Sequence, residues 1–299
     1  MHFHHPLFRK SSLVWLVLAA ALAVVAPRVV HAEALLVVEA DTGKVLQAEN
    51  ATYPWYPASV TKLMTAYVTL RAVKEGRISL DSLLTVSPVA AAQSPSKMGF
   101  RPGTQVTVDN ALKMMLVKSA NDMAVVLAEG IGGSIDGFSA QMNQAAHRLG
   151  MMQTNYVNPN GLPAEDQITS ARDLAILARA IIRDLPEYEY FVHIPSIRFG
   201  RRVTNNFNHL IGRYPGADGF KTGFICAENP SIDPPTPSAS TTAMSLADFT
   251  IIIFSALSTV TWIPVRKPIF DGDCAAAVGD TVSKVSSESR PSFTALSVT

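Results

Sequence analysis

The chain has 299 residues, of which 48% are hydrophobic and 16% are charged, and its formal net charge is +1. A chain of this length can bury a substantial core in one large domain or two smaller ones. A net charge near zero, without a basic stripe, gives no electrostatic footprint for nucleic acid, so we expect no nucleic-acid partner. Two cysteines, Cys226 and Cys274, are too few for a disulfide framework and are either two free thiols or one bridge.

The N-terminus has the layout of a secretory signal peptide. Arg9 and Lys10 precede an apolar run over 13–26, and small residues at 30–32 offer a cleavage site. A positive segment, an apolar segment and a small-residue site in this order predict export. The alternative is an uncleaved membrane anchor, for which the apolar run is short. We therefore expect a signal peptide over 1–32 and a periplasmic or otherwise extracytoplasmic mature protein.

The chain after residue 32 opens with a hairpin and continues with helices. Two strand-like stretches flank an Asp-Thr-Gly turn in which Gly43 can take a positive φ. Apolar residues then recur at helical spacing between capping residues. The predicted strands cover 35–40 and 44–50, and the predicted helices cover 58–76, 108–133 with a break around Ser119, 136–150 and 170–184. Between 78 and 107 the sequence predicts short strand-like pieces and a turn at 101–103.

A strand-like region follows the last of these helices and leads to a glycine-rich approach before residue 221. A hairpin first, helices in the middle and strands last predict an α+β domain with helices packed on a sheet. We place this domain at 33–227. The sequence from 228 to 299 has a different composition.

The first of three patterns suited to nucleophilic catalysis is Ser59-Val60-Thr61-Lys62. It opens a predicted amphipathic helix, where positions i and i+3 share a face, so the Lys62 amine can reach the Ser59 hydroxyl. Ser-x-x-Lys alone is a weak signal in a chain of this size. A second copy at 94–97 contains proline and precedes no periodic run, so it predicts a loop.

The other two patterns are Ser119-Ala120-Asn121, at the break between two helical pieces, and Lys221-Thr222-Gly223, at the start of a strand. Taken alone, the first also fits an ordinary helix cap and the second a lysine on an edge strand. Their joint occurrence in this order, on a helix, a helix break and a strand, favours catalysis.

Together the three patterns resemble those of the penicillin-binding-protein and serine β-lactamase superfamily. Within it, the sequence most resembles the low-molecular-mass D-alanyl-D-alanine carboxypeptidases over most of 33–227. The matching stretches are YPASVTKLMTAYVTL, MLVKSANDMAVVLAE, TNYVNPNGLP, TSARDLAILARAII and GADGFKTGFICA. The resemblance implies a β-lactamase/transpeptidase-like fold, an antiparallel sheet with helices on both sides, and catalysis without metal or cofactor.

The resemblance also implies the substrates and the catalytic roles. Ser59 would attack the penultimate D-Ala carbonyl of a peptidoglycan stem peptide ending in D-Ala-D-Ala, and it would equally be acylated by β-lactam antibiotics. Lys62 would take the Ser59 proton, which requires a neutral amine and hence a lowered pKa; burial and the nearby charge of Lys221 would both lower it. Ser119 would pass the proton to the leaving amine.

The remaining residues would bind the substrate. Asn121 would hold the substrate amide and orient the lysine base, and Lys221 and Thr222 would meet the terminal carboxylate. Gly223 would let the peptide approach the strand closely. The backbone N–H of Phe224, with that of the nucleophile, would form the oxyanion hole.

Three alternatives use the same residues differently. A β-lactamase would need a class A glutamate loop, for which no segment matches, whereas NPNGLPAEDQIT over 158–169 matches the carboxypeptidase pattern. An endopeptidase acting on cross-links stays open. A catalytically defective, peptidoglycan-binding paralogue also stays open, and it rests on the C-terminal region.

That region, 228–299, departs from the family pattern of two further sheet strands and a closing helix. Four prolines within 230–237 exclude a central strand there. An apolar run follows at 249–265. The tail is therefore an out-of-frame translation, a C-terminal membrane anchor or a genuinely divergent segment. We expect the last strands of the sheet to be missing or replaced, and a missing pair would leave an open edge.

Overall fold

The hairpin predicted after residue 32 forms one side of the main sheet. The computed structural model describes residues 33–211, 219–223, 248–255 and 259–264, the last two ranges through their strand pairing. The predicted signal peptide, both cysteines and Phe224 lie outside the described residues.

The described strands form one four-stranded sheet and two small hairpins. The strands are β1 Glu33–Glu39, β2 Val45–Glu49, β3 Leu83–Thr85, β4 Gln105–Thr107, β5 Ser196–Phe199, β6 Arg202–Asn205, β7 Asp248–Ser255 and β8 Thr259–Pro264.

Six described helices lie between β2 and β5, as the sequence pattern predicts. The helices are α1 Lys62–Lys74, α2 Pro88–Ala91, α3 Val108–Lys118, α4 Asn121–Gly132, α5 Ile135–Leu149 and α6 Ala171–Asp184. Two 3₁₀ segments, Ala58–Thr61 and Pro186–Val192, precede α1 and follow α6. The predicted helix over 58–76 thus begins as a 3₁₀ turn, and the predicted break around Ser119 separates α3 from α4.

The main sheet has the strand order β2-β1-β7-β8. β2 runs antiparallel to β1, and β8 runs antiparallel to β7. β7 instead runs parallel to β1, in register from Glu33 opposite Asp248 to Glu39 opposite Phe254. The α+β class is confirmed, but the sheet is mixed rather than antiparallel throughout, because its third strand comes from the tail.

The C-terminal strands are therefore replaced rather than missing. β7 and β8 both fall within the tail and cover most of the apolar run at 249–265. β1 accordingly has a hydrogen-bonded neighbour on each side and is not the open edge expected for a sheet without these strands. Among the described residues, no helix is both long and apolar enough to cross a membrane.

The core is centred on α1, of whose thirteen residues ten are buried. A helix buried on nearly all sides lies inside the domain and not on its surface. α1 packs against α3, α4, α5 and α6, and α6 in turn packs against β1 and β7. Because Lys62 is the first residue of α1, this packing places a lysine side chain inside the core.

A buried carboxylate joins α6 to the loop before it. Asp173 is fully buried and accepts hydrogen bonds from the Gln153 backbone N–H at 2.8 Å and from Thr154 Oγ1 at 2.8 Å. Ser170 caps the same helix by accepting from the Asp173 backbone N–H at 3.2 Å. The carboxylate therefore fixes the start of the loop that crosses back to α1.

We predict that Asp173→Asn lowers the free energy of unfolding by about 1–3 kcal/mol, because an amide N–H₂ would face donors that now have an acceptor. Urea denaturation monitored by circular dichroism measures the change. Asp136→Asn is the matched control, since Asp136 lies in the first turn of α5 but is exposed. Equal effects of the two changes would contradict the prediction.

Candidate active site

Ser59 and Lys62 meet where the 3₁₀ turn Ala58–Thr61 continues into α1. The Lys62 Nζ lies 2.9 Å from the Ser59 Oγ, hydrogen-bonded to it. Ser59 is half-buried and Lys62 is completely buried, so the hydroxyl can be reached while the amine is held away from water. The predicted i, i+3 contact is present in the structure.

The environment of Lys62 favours its neutral form. Burial lowers the pKa of Lys62 well below its ordinary value, and the nearby charge of Lys221 lowers it further. The Nζ also hydrogen-bonds to the main-chain carbonyl oxygen of Asn160. A neutral amine that donates to one carbonyl can direct its lone pair at the serine hydroxyl, as a general base requires.

The Asn160 carbonyl belongs to a tight turn that packs on the nucleophile. Gly161 has φ 79°, and a Cβ there would lie 1.7 Å from the Ala58 carbonyl oxygen. Its backbone N–H donates to Asn158 Oδ1 at 2.7 Å. Glycine is therefore required at 161 both by the left-handed backbone and by the close approach to the residue before Ser59.

A buried glutamine holds this turn against the start of α1. Gln167 Oε1 accepts from the backbone N–H groups of Val157 at 2.7 Å and Asn158 at 3.1 Å. Its Nε2 donates to Thr61 Oγ1 at 3.0 Å. The sequence alone predicts no contact for Gln167. The available signal was a glutamine, Gln167, inside the stretch 158–169 that carries the family resemblance. Its hydrogen-bond partners could not be predicted from the sequence.

Ser119 occupies the left-handed conformation that ends α3, with φ 59° and ψ 35°. Its Oγ is buried and has no hydrogen-bond partner among the described residues. A serine held in an uncommon backbone conformation with an unsatisfied hydroxyl is a candidate functional group, since buried hydroxyls are normally paired.

Asn121, the first residue of α4, is fixed by the loop that contains the second Ser-x-x-Lys copy. Its Nδ2 donates to the Ser94 carbonyl at 2.9 Å and to the Pro95 carbonyl at 3.3 Å, and its backbone N–H donates to the Ser96 carbonyl at 2.7 Å. That copy is a loop, as predicted, and it serves Asn121 through its main chain. In the described part of the chain, no hydrogen bond joins Asn121 to Lys62.

The third pattern packs directly on the 3₁₀ turn Ala58–Thr61, which carries Ser59 and is called the Ser59 turn below. A Cβ at Gly223 would lie 2.8 Å from Val60 Cγ2 and 3.2 Å from the Pro57 carbonyl oxygen. Lys221 is buried, its Nζ donates to the Thr222 carbonyl at 2.9 Å, and burial lowers its pKa to about 7. Gly223 thus permits contact with the protein itself, in addition to the predicted approach of a substrate.

The structure brings the first and third patterns together and places the second at the junction of α3 and α4. Within the ranges described, no hydrogen bond links Ser119 or Asn121 to Ser59, Lys62 or Lys221. The same ranges hold no cluster of three or more His, Cys, Asp or Glu side chains able to bind a metal ion. The first pattern places a serine hydroxyl next to a lysine amine whose pKa is lowered.

Comparison with known families accords with this arrangement. The family profile described as D-alanyl-D-alanine carboxypeptidase, peptidase S11, matches residues 21–229. The chain belongs to this family. The match ends close to Ala227, where the resemblance in the sequence also ends.

Relatives and solved structures of this family share the fold. D-alanyl-D-alanine carboxypeptidase DacF of Bacillus subtilis (strain 168) is 36% identical over 202 residues, covering 65% of this chain and 51% of that protein. The crystal structure of penicillin binding protein 5 from Haemophilus influenzae is 36% identical with a TM-score of 0.61, covering 63% of this chain and 56% of that one. This chain spans about half the length of the curated relatives it matches.

One structural match reaches into the tail. A peptidoglycan synthesis regulatory factor (PBP3) from Streptococcus pneumoniae is 26% identical with a TM-score of 0.62, and the match covers 84% of this chain and 71% of that one. Residues 1–227 amount to about three quarters of the chain, so part of the tail is included. The strands β7 and β8 are the described elements there.

We predict that the rate of acylation of this S11-family chain by a penicillin rises with pH and levels off well below 10.5, because Lys62 must be neutral and its pKa is lowered. Above a pH of about 7, Lys221 loses its proton and with it the positive charge expected to bind the substrate carboxylate, so the acylation rate should fall again. In Lys221→Met the falling limb should disappear. The rising limb should move to higher pH, since removal of a positive neighbour raises the Lys62 pKa.

Stopped-flow acylation rates across the pH range test this, with Lys113→Met as the control. Lys113 pairs with Asp109 at 2.7 Å on α3, and its removal should leave both limbs in place. A rising limb at the same pH in Lys221→Met and in the unchanged chain would contradict the assignment.

We predict that Gln167→Leu slows acylation about tenfold and destabilises the fold by about 2–4 kcal/mol, because the Val157 and Asn158 N–H groups lose their acceptor and the Asn160 carbonyl shifts from Lys62. Gln144→Leu is the control, since Gln144 is exposed on α5. Penicillin acylation rates and urea denaturation of both variants provide the measurement. A folded Gln167→Leu chain with an unchanged rate would exclude this role for the turn.

Proposed function

We propose that the protein is a serine-type D-Ala-D-Ala carboxypeptidase that removes the terminal D-Ala from peptidoglycan stem peptides. The observation that carries the proposal is the 2.9 Å contact between Ser59 Oγ and the Nζ of a completely buried Lys62 whose pKa is lowered. Nucleophile activation by an adjacent neutral amine needs this arrangement. Family membership supports the same reaction.

In the proposed acylation step, Ser59 Oγ attacks the carbonyl carbon of the penultimate D-Ala while its proton moves to Lys62 Nζ. The peptide C–N bond then breaks, and the terminal D-Ala leaves after its nitrogen is protonated. Ser119 supplies the route for that proton, because its buried hydroxyl has no partner among the described residues and can both accept and donate. Water then hydrolyses the ester and restores Ser59.

Substrate binding is assigned to the other motif residues. Lys221 and Thr222 receive the terminal carboxylate of the substrate, and the charge on Lys221 below pH 7 or so favours this ion pair. Asn121 holds the substrate amide from the helix junction. Gly223 leaves room for the peptide to lie along this segment as an added strand. Phe224, which lies outside the described residues, is proposed to contribute its backbone N–H to the oxyanion hole with that of Ser59.

The segment at 158–169 favours carboxypeptidase function over β-lactamase function. Its Asn160-Gly161 turn brings a main-chain carbonyl to Lys62, where a class A β-lactamase would present a glutamate near the acyl-enzyme. Without such a base, a penicilloyl ester on Ser59 should persist. Slow turnover of penicillin therefore accompanies the proposed peptidase activity.

We also propose an extracytoplasmic location for the protein and a division of its chain into three segments. Residues 1–32 act as an export signal, 33–227 form the catalytic domain, and 228–299 form a divergent tail from which the main sheet takes two strands. The peptidase works on the cell wall outside the cytoplasm, where its substrate is found. Membrane association through the tail is not part of the proposal, because the described part of 249–265 is paired as strands.

We predict that the protein gains the mass of one penicillin when treated with benzylpenicillin, and that tryptic mapping places the adduct on Ser59. Ser59→Ala should gain no mass, and Ser94→Ala, in the loop copy of the motif, should be labelled like the unchanged chain. Release of D-Ala from diacetyl-Lys-D-Ala-D-Ala tests turnover. An adduct that persists in Ser59→Ala would falsify the proposal, and labelling without D-Ala release would favour the defective, peptidoglycan-binding paralogue.

A further inference from the structure

Several exposed arginines lie next in sequence to a pair of aromatic rings, one of which is exposed. Phe100 and Phe199 pack edge to face, with ring centroids 5.0 Å apart and an interplanar angle of 83°, and Phe199 is 44% exposed. Four exposed arginines lie next to these rings in sequence: Arg101, Arg198, Arg201 and Arg202. We call these six residues the arginine rim.

The two chain segments that carry the rim contain no acidic residue. Neither 94–108 nor 190–217 contains an aspartate or a glutamate. Among the described residues, none of the four arginine side chains forms a hydrogen bond or an ion pair. Clustered unpaired arginines produce a local positive potential although the net charge of the chain is only +1.

The β5–β6 hairpin determines how the rim is presented. Phe199 pairs with Arg202, and Arg198 pairs with Val203, so each pair shares one face of the hairpin. Arg202 therefore accompanies Phe199 on the face that meets Phe100, and Arg198 lies on the opposite face. Gly200, with φ 57°, makes the turn that places Arg201 at the tip.

Both halves of the rim are attached to the α3–α4 junction that carries Ser119 and Asn121. The Phe207 backbone N–H, just after the hairpin, donates to the Val117 carbonyl at 3.1 Å, two residues before Ser119. The loop that carries Phe100 is held by Asp122, whose carboxylate accepts from the Met98 and Gly99 backbone N–H groups at 3.0 and 2.9 Å. The rim therefore borders the active site on the side of the second motif.

We infer that the arginine rim binds the acidic part of the stem peptide upstream of its D-Ala-D-Ala end. This inference rests on the proposed function, which places the terminal carboxylate at Lys221 and the rest of the peptide in the cleft. The remaining carboxylates of the peptide complement the unpaired side chains of Arg101, Arg201 and Arg202, and the two phenylalanine rings give its aliphatic parts an apolar contact. The rim would make the enzyme prefer acidic stem peptides to neutral short ones.

The test is direct binding to the full chain carrying Ser59→Ala, so that no hydrolysis interferes. The probes are a fluorescein-labelled pentapeptide with two side-chain carboxylates ending in D-Ala-D-Ala, and the same peptide with those two carboxylates amidated. Arg201→Gln/Arg202→Gln should weaken binding of the acidic peptide about fivefold at low salt, as expected for two exposed ion pairs, and that of the amidated peptide less than about twofold. The difference should vanish above about 0.5 M salt.

Arg148→Gln/Arg183→Gln is the matched control, since both arginines are exposed near helix ends and the charge removed is the same. Equal weakening by both pairs, equal loss of both peptides, or no change would overturn the inference. Loss of sedimentation with phosphatidylglycerol vesicles while the peptide Kd stays constant would make a lipid surface the partner and would also overturn it.

The penicillin adduct on Ser59 is measured separately, in the chain that keeps its serine. A chain that binds the acidic peptide through the rim but forms no adduct would refute the proposed hydrolysis and keep this inference. A chain that forms the adduct but binds both peptides independently of the rim would do the reverse.

Discussion

The arrangement of the site depends on one buried amine. Lys62 lies at the start of a helix that the domain surrounds on nearly all sides, and burial of an ammonium group is unfavourable unless the group is neutral or paired. Among the described residues, no carboxylate accepts a hydrogen bond from Lys62. The protein instead supplies the Ser59 hydroxyl and the Asn160 carbonyl, neither of which neutralises a charge. Burial therefore favours the neutral form of Lys62, which can accept a proton. The same burial that defines the core thus prepares Lys62 for its proposed role as the base.

Two glycines allow two segments that are distant in sequence to pack against the Ser59 turn. Gly161 approaches the Ala58 carbonyl, and Gly223 approaches Val60 and Pro57, so the turn that carries Ser59 is enclosed from both sides. Ala58 itself has a positive φ of 47°, which is uncommon for alanine. A strained residue persists only where its surroundings fix it, and here the surroundings are the two glycine-bearing segments. Shape complementarity around the turn, and not one strong bond, fixes the position of the hydroxyl.

The sequence predicted the local parts of this site well, because local geometry follows from spacing. Ser59 and Lys62 are three residues apart at a helix start, and Ser119 interrupts a helical pattern; both features were expected and both are present. The Asn160 carbonyl could not be predicted, since it is a main-chain atom 98 residues from Lys62 and has no side-chain signature. The contacts of Gln167 were missed for a similar reason: they join backbone N–H groups and the Thr61 hydroxyl, whose positions relative to Gln167 depend on the tertiary fold.

The fold was predictable to the point where the family resemblance ends. A hairpin followed by helices fixed the α+β class, but strand order is a long-range property, and no pattern in the tail showed that β7 would run parallel to β1. This pairing has a consequence for the site. β1 and β7 together form the surface on which α6 packs, and the first turn of α6 carries the buried Asp173, which fixes the loop leading to the Asn160 turn. The replaced strands therefore support the environment of Lys62 through α6, although they lie far from it along the chain.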